Sequence, residues 1–156
     1  MPDKKIKFVE YNEHFLIKSW EWLNDPEIKK LTLTPDFTKE QQKTFFKNIP
    51  QRTNFKIWGV KYGDESIGVV GLKNITSYDA EYFGYIGEKN YWSMGIFKFF
   101  FYHVINECKI LQLSKLYLHV DPFNERAVKA YLKSGFYEVN KLNDVLRMEV
   151  DINYDR

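Results

Sequence analysis

The sequence has few of the features that mark several classes of protein. Its single cysteine, Cys108, excludes an internal disulfide and a zinc site built on clustered cysteines. Its most apolar run, Ile96 to Ile105, contains Lys98 and His103 and is about half as long as a membrane-spanning helix. The N-terminal segment is charged, so we expect no secretory signal peptide. These absences predict a cytoplasmic protein that does not use a membrane as a partner.

A large excess of charge of one sign is also missing. Lys and Arg number 23 against 21 Asp and Glu, which leaves a net charge of +2. A protein that binds the phosphate backbone of a nucleic acid is usually strongly basic, so we expect no nucleic-acid partner. A protein can also bind a nucleic acid by stacking single-stranded bases on its aromatic side chains. The small net charge of this chain disfavours that class of protein as well.

Length and patterning indicate one globular domain over residues 1–156. Strand patterns occupy 6–9, 55–62, 67–72, 80–87, 116–120, 136–139 and 145–152, and helical patterns occupy 12–24, 38–48, 95–109 and the segment after Asn124. Pro26 predicts the end of the first helix, and Gly84 predicts a bulge or a close backbone approach in its strand. The order β-α-α-β-β-β-α-β-α-β-β predicts an α/β fold (α+β mixed), with helices on both faces of a mixed sheet.

Two segments carry the candidate chemistry, because no nucleophile elbow, zinc-protease motif or phosphate-binding loop is present. Residues 91–97 form a strand-to-helix turn. It is either an ordinary glycine turn into a core helix or an anion site, in which the free backbone N–H groups at the start of the helix bind the ligand. Asn124 caps the second segment, a helix that Gly135 ends. Helical spacing alone would place Tyr131 of that helix in the core.

Together, in this order, the two segments resemble the GNAT superfamily of acyl-CoA-dependent N-acyltransferases. Asn124 to Phe136 matches the family pattern N-x-x-A-x-x-x-Y-x-x-x-G-F at every fixed position. The turn matches Q/R-x-x-G-x-G/A in part: Gly95 is kept, Trp92 replaces the basic or amide residue, and Phe97 stands where Gly or Ala is usual. The resemblance covers residues 6–152. It implies a largely antiparallel sheet of six to seven strands, in which strands 80–87 and 116–120 splay apart.

The resemblance also implies a donor site for acetyl-CoA, or another acyl-CoA, as co-substrate and no metal. Amides around Met94 to Lys98 would hold the pyrophosphate, Asn124 would hydrogen-bond the pantetheine arm, and Tyr131 would protonate the leaving thiolate. A neutral primary amine would attack the thioester directly, without a covalent enzyme intermediate. The implied donor-binding residues are Trp92, Ser93, Met94, Gly95, Ile96, Phe97, Lys98, Asn124, Ala127 and Tyr131.

The attacking amine must first lose a proton. At pH 7 this costs about 4.6 kcal/mol for a lysine-like amine and about 1 kcal/mol for an α-amine. Glu81 is our first candidate for the general base, followed by Glu88, His119 and Asp121. Each also has a structural explanation: a surface charge on an edge strand for Glu81, a loop charge for Glu88, a satisfied strand histidine for His119 and a turn-forming role for Asp121.

The acceptor is predicted from aromatic side chains in the segments that form the acceptor side in this family. Flat rings suit a nucleobase or sugar face, so we expect the amino group of a dTDP- or UDP-linked amino sugar, with Tyr82, Tyr85, His119 and Asp121 as substrate contacts. A ribosomal-protein N-terminus and a polyamine or other small amine are alternatives, and a non-catalytic CoA-binding or interaction module is an alternative of another class. The aromatic residues are Trp20, Trp22, Phe37, Phe45, Phe46, Tyr78, Tyr82 and Tyr85, which could also be core.

One apolar pair lies on the polar side of the 95–109 helix. Phe99 and Tyr102 could form a homodimer contact there, or pack under the closing hairpin.

Overall fold

A seven-stranded sheet runs through residues 5–154, the part of the chain that the computed structural model describes. Its strands are β1 (Ile6–Glu10), β2 (Lys56–Tyr62), β3 (Glu65–Lys73), β4 (Asp79–Ile86), β5 (Lys115–Val120), β6 (Tyr137–Leu142) and β7 (Val145–Asp151). The α-helices are α1 (Glu13–Leu23), α2 (Pro26–Leu31), α3 (Lys39–Asn48), α4 (Phe97–Ile110) and α5 (Glu125–Lys133). Two short 3-10 turns, Ile49–Gln51 and Lys89–Tyr91, precede β2 and α4.

The spatial order of the strands is β1-β2-β3-β4-β5-β7-β6, and every neighbouring pair is antiparallel except β4 and β5. That parallel pair is joined through α4, since parallel strands need a crossover connection. Its ladder covers only Asp79–Glu81 of β4 and Lys115–Tyr117 of β5, and the strands separate beyond it. The predicted largely antiparallel mixed sheet and its splay are therefore confirmed.

Helices cover both faces of the sheet, as predicted. Val69 and Val70 are neighbours on β3 and must point to opposite faces, yet both are buried. Val69 belongs to a cluster with Phe15 of α1 and Ile28 of α2, whereas Val70 belongs to the larger cluster that includes Phe100 of α4. The sheet is thus the middle layer, with α1 and α2 on one side and α4 on the other.

The prediction that Pro26 only ends a helix was incomplete. The first helix does stop at Leu23, but Pro26 then occupies the start of α2, which the sequence analysis did not predict. Proline is favoured at the first helical position because its missing N–H would have no partner there. The side chain of Asp25 caps this turn, accepting hydrogen bonds from the backbone N–H groups of Glu27 and Ile28.

Gly84 produces neither the predicted bulge nor a close backbone approach. The β3–β4 ladder keeps one register from Gly68↔Ile86 to Lys73↔Glu81. A Cβ at Gly84 would instead lie 2.6 Å from the hydroxyl oxygen of Tyr82. The glycine therefore makes room for a tyrosine side chain of its own strand.

Helix α4 is the longest helix of residues 5–154, with 14 residues, and no helix there is long and apolar enough to cross a membrane. Tyr102 on its outer side is 66% exposed, whereas Phe99 is half-buried. Self-association through these two rings stays a prediction, as does the cytoplasmic location.

His103, on α4, occupies a site between aromatic rings. Its ring stacks on Phe8 at 4.1 Å and meets Trp58 edge-on at 4.3 Å between centroids. Within residues 5–154, no group hydrogen-bonds its buried Nε2 atom. Burial lowers the pKa of His103 to about 4.

We expect His103 to make the fold less stable in acid. The unfolded chain, whose histidine pKa is about 6.5, binds the proton more readily between pH 6.5 and 4. The free energy of unfolding should therefore fall by roughly 1–2 kcal/mol between pH 7 and pH 5 from this residue. Urea unfolding of wild type and His103→Phe at both pH values measures it, and the variant should lose less stability. Equal losses of unfolding free energy in the two proteins would show that His103 does not cause the instability in acid.

Candidate active site

The gap between β4 and β5 opens into a cavity of about 650 Å³. Its walls come from both layers of the fold, including α1, the loop after α2, α3 and α5. Of the candidate site residues and acceptor-side aromatic residues predicted from the sequence, those that line it are Phe37, Phe45, Glu81, Tyr82, Tyr85, Trp92, Phe97, His119, Asn124, Ala127 and Tyr131. Strand separation exposes backbone and side chains that a continuous ladder would cover, so this is the natural place for a ligand to cross the sheet.

The turn before α4 has the geometry of an anion site. Gly95 has φ +68°, a left-handed conformation that favours glycine, and a Cβ there would meet nothing within 4 Å. Helix α4 has no side-chain cap, whereas a side chain caps each of α1, α2, α3 and α5. The backbone N–H of Phe99 donates to the carbonyl oxygen of Ile96 at 2.9 Å, and the N–H groups of Phe97 and Lys98 are left for an external acceptor at the positive end of the helix dipole.

The side chains of this turn divide between solvent and core. Ser93, Met94 and Lys98 are exposed, and Ile96 is buried. The ring of Phe97 packs against those of Phe100 and Phe101 at 5.4 and 6.4 Å between centroids. The ring of Phe97 thus packs against the α4 cluster and also lines the cavity.

Trp92 joins the end of β4 to the start of α5. Its indole N–H donates to the carbonyl oxygen of Ile86 at 2.8 Å, which fixes the ring. The guanidinium of Arg126 lies 4.7 Å from the ring centroid and the ammonium of Lys89 lies 5.6 Å from it. The tryptophan that replaces the usual basic residue thus holds two cations beside the turn.

Two tyrosines meet where the cavity passes between the strands. The rings of Tyr82 on β4 and Tyr131 on α5 lie edge to face, 6.0 Å apart. Burial raises the pKa of both hydroxyls, so both keep their protons throughout the neutral range. The hydroxyl of Tyr82 is buried and has no hydrogen-bond partner among residues 5–154. A buried unpaired hydroxyl is costly, and a ligand in the cavity could satisfy it.

Asn124 is a structural cap as well as a cavity residue. Its side-chain oxygen accepts from the backbone N–H of Ala127 at 3.4 Å, and its amide nitrogen makes only a long contact, 3.5 Å, to the carbonyl of Leu31. The amide hydrogens of this cavity residue are therefore only weakly held.

Glu81 and His119 form a hydrogen-bonded pair across the start of the splay. Nδ1 of His119 lies 2.8 Å from Oε2 of Glu81, and the amide of Asn74 donates to Oε1 at 3.0 Å. The ammonium of Lys73 is 4.0 Å from Oε2. Glu81 is only 9% exposed, whereas the side chain of His119 is 39% exposed.

The other two base candidates have structural partners. Glu88 accepts a hydrogen bond from the indole N–H of Trp22 at 2.8 Å. Asp121 shapes the turn after β5, accepting from the backbone N–H of Phe123 at 2.9 Å. Neither is among the residues lining the cavity, and the turn-forming explanation of Asp121 describes its contacts.

Tyr82 and Tyr85, which we predicted as substrate contacts, lie in different layers. Tyr85 packs with the α1 cluster, and its hydroxyl donates to Ser19 at 3.2 Å. Tyr82 belongs to the α4 cluster. Residues three apart on a strand point to opposite faces, so only the gap in the sheet brings both into one cavity.

Sequence analysis missed a cationic aromatic wall in the α1–α3 half of the cavity. The rings of Phe55 and Phe83 stack at 5.6 Å. The guanidinium of Arg52 covers Phe55 at 4.0 Å, and the ammonium of Lys73 lies 5.8 Å from the centroid of Phe83. The alternation of the strand patterns 55–62 and 80–87 could have placed each ring on a face of the sheet, but no local pattern pairs the rings with these cations. We call these four residues the cationic wall.

Comparison with known proteins identifies the family. The model of the acetyltransferase (GNAT) domain matches residues 12–137, which is most of the chain. The chain belongs to the GNAT acetyltransferases. It is therefore an N-acetyltransferase that uses acetyl-CoA, as the sequence motifs predicted.

Individual relatives are distant. Acetyltransferase PseH from Campylobacter jejuni is 28% identical over 138 residues, covering 85% of this chain and 83% of that protein. The crystal structure of a Campylobacter jejuni N-acetyltransferase PseH with acetyl coenzyme A has a TM-score of 0.74 at 20% identity, covering 95% and 99% of the two chains. A Vibrio cholerae spermidine N-acetyltransferase in complex with CoA and spermine has a TM-score of 0.84 at 22% identity, covering 96% of each. At these identities the two structures show a shared fold.

Proposed function

We propose that this acetyltransferase transfers the acetyl group of acetyl-CoA to the amino group of a nucleotide-linked amino sugar. The cationic wall supports the proposal most directly. Stacked rings offer a flat apolar surface for a base or sugar, and Arg52 and Lys73 offer positive charge for a diphosphate. No other acceptor class we considered needs both features together.

A polyamine is the competing acceptor, because a spermidine N-acetyltransferase shares the fold. A polycation needs several free carboxylates. In the α1–α3 half of this cavity, Glu81 is the one carboxylate among the described lining residues, and its oxygens are already engaged by Asn74 and His119. Arg52 and Lys73 would repel a second ammonium group. Charge therefore favours an anionic acceptor.

For the donor, we propose the assignment that the motifs predicted. The uncapped N–H groups of α4 and the turn around Gly95 would hold the pyrophosphate, and Asn124 would donate to the pantetheine arm. The reaction that follows is attack of the amine nitrogen on the thioester carbon. Tyr131 would then donate its hydroxyl proton toward the sulfur that leaves.

Burial changes how Tyr131 would work. Its pKa is raised above that of an ordinary phenol, so complete transfer of its proton to a thiolate is uphill at equilibrium. We propose that Tyr131 stabilises the leaving sulfur chiefly as a hydrogen-bond donor, with full protonation completed as solvent returns.

Ligand-induced thermal shifts test the acceptor. At ten times its dissociation constant a ligand adds about 1.4 kcal/mol, which is roughly 3–6 °C for a domain of this size. We expect UDP or dTDP to raise the melting temperature of the protein saturated with CoA, and spermidine to leave it unchanged. A shift with spermidine and none with either nucleotide would replace the proposal by the polyamine alternative.

A pair of charge reversals makes the test site-specific. Arg52→Glu should abolish the nucleotide shift while keeping the shift caused by acetyl-CoA. Lys43→Glu changes the net charge equally on the exposed surface of α3, outside the cavity, and should keep both shifts. Loss of the nucleotide shift in both variants would mean that overall charge, not the cationic wall, attracts the nucleotide.

A further inference from the structure

We propose that His119 is the group that takes the proton from the acceptor amine, and that Glu81 is its positioning residue. The inference rests on the acetyltransferase reaction proposed for this cavity, and it changes the role that sequence analysis gave to Glu81. It does not depend on which amine is the acceptor.

The first argument is where the pair lies. Glu81 is the last residue of β4 that pairs with β5, and His119 is two residues beyond its partner Tyr117. Their 2.8 Å contact therefore closes the end of the ladder where the strands begin to separate. Both side chains line the cavity from this point.

The second argument is which atoms are free to meet a substrate. The two carboxylate oxygens of Glu81 are taken by Asn74 and His119, and the residue is almost wholly buried. His119 is more exposed, and no group among residues 5–154 hydrogen-bonds its Nε2 atom. Of the two side chains, the imidazole is therefore the one that presents an unused acceptor to the cavity.

The third argument is the chemistry of a carboxylate bound to an imidazole. An ionised carboxylate can only accept, so the shared hydrogen belongs to Nδ1 of the neutral ring. This tautomer leaves the lone pair on Nε2, and the carboxylate stabilises the imidazolium once a proton arrives. Glu81 thus selects the form of His119 that can act as a base.

The charges around the imidazole come from three strands. Lys73 on β3 approaches Glu81, and Arg147 on β7 is the ladder partner of His119. Arg147 donates to Glu149 and covers the ring of Tyr117, so its charge is already paired. Asp121, on the same segment as His119, is held in its turn. Glu81 is therefore the carboxylate in direct contact with His119.

The proton balance is simple. Nε2 takes one proton from the acceptor ammonium, and the freed electron pair of nitrogen forms the bond to the acyl carbon. The C–S bond then breaks, and the second proton of the nitrogen is passed on as the thiol forms. The imidazolium returns its proton to solvent before the next turnover.

Two substitutions and their pH profiles test the pair, using whichever amine the wild-type enzyme acetylates. His119→Gln should lower kcat by about 100-fold or more and remove one group from the acidic limb of the kcat/KM profile. Glu81→Gln should lower kcat less and leave the KM of the acceptor unchanged, because only the carboxylate that selects the tautomer of His119 is lost. The dissociation constant of acetyl-CoA should be unchanged in both.

Controls separate this role from a merely structural one. His14→Gln alters a histidine bound to Ser66, outside the cavity, and should keep wild-type kcat and pH profile. His119→Ala should regain activity when free imidazole is added, which a loss of folding would not allow. If His119→Gln keeps wild-type kcat while Glu81→Gln is inactive, Glu81 itself is the base and the proposal is wrong. A wild-type enzyme that acetylates only spermidine would overturn the acceptor proposal and leave this test intact.

Discussion

Replacing Tyr131 by phenylalanine is expected to lower kcat by about 100-fold or more, with little change in the affinity for acetyl-CoA. The hydroxyl is held at the splay by a ring that packs against Phe101 and Phe136. Its raised pKa keeps it protonated throughout the assay range, so its O–H stays available as a hydrogen-bond donor. If Tyr131 has the proposed role, losing that donor would leave the developing thiolate without its hydrogen-bond partner, whereas the ground state would lose little.

Steady-state kinetics with thiol release as the readout measures this effect. Tyr102→Phe is the matched control, because it removes an exposed hydroxyl from the outer side of α4. A 100-fold loss of kcat in Tyr131→Phe, with an unchanged kcat in Tyr102→Phe, would support the role of the Tyr131 hydroxyl as a hydrogen-bond donor to the leaving sulfur. Wild-type kcat in Tyr131→Phe would remove Tyr131 from the chemistry and leave it as a core residue.

Placing a carboxylate at the turn before α4 is expected to weaken the binding of acetyl-CoA about tenfold. Met94 is 47% exposed and lies just before Gly95, so its side chain can change without disturbing the core. A carboxylate about 6 Å from the two negative charges of a diphosphate, at the bulk-water dielectric constant of about 80 that suits an exposed turn, costs roughly 1.4 kcal/mol. Because a carboxylate near a helix N-terminus is favourable, Met94→Glu should not lower the melting temperature.

Calorimetry of acetyl-CoA binding to Met94→Glu and Met94→Gln isolates the charge, since the two side chains have nearly the same shape. The difference in dissociation constant should shrink as salt is added, because exposed charges are screened. Equal dissociation constants for the two variants at low salt would show that the pyrophosphate is held elsewhere.

Local patterns predicted the parts of the fold that local chemistry decides. The helix at 38–48, the neighbouring strands at 55–62 and 67–72 and the helix from Asn124 to Gly135 all rest on residues within a few positions of one another. The exception is α2, where the same proline that ends one helix begins the next. A proline such as Pro26 can follow the end of a helix or begin a new one. The packing of Ile28 against the α1 cluster stabilises the new helix here.

The candidate site was predicted less completely because its contacts join distant segments. Glu81 and His119 are 38 positions apart and meet only through the parallel pairing that α4 makes possible. Lys73 faces Glu81 because the β3–β4 register pairs the two residues. A register shifted by one residue would turn one of the two side chains to the other face of the sheet. Sequence motifs could therefore mark the donor side, but the cationic wall and the histidine–glutamate pair needed the three-dimensional arrangement.

The most direct measurement is acetyl transfer itself, followed by mass spectrometry of the acceptor. Purified protein and acetyl-CoA would be incubated separately with a UDP- or dTDP-linked amino sugar, with spermidine and with a peptide bearing a free N-terminus. We expect acetylation of the nucleotide-linked sugar with the highest kcat/KM, and its loss in Arg52→Glu but not in Lys43→Glu. Preferential acetylation of spermidine or of the peptide, unaffected by Arg52→Glu, would contradict the proposed acceptor.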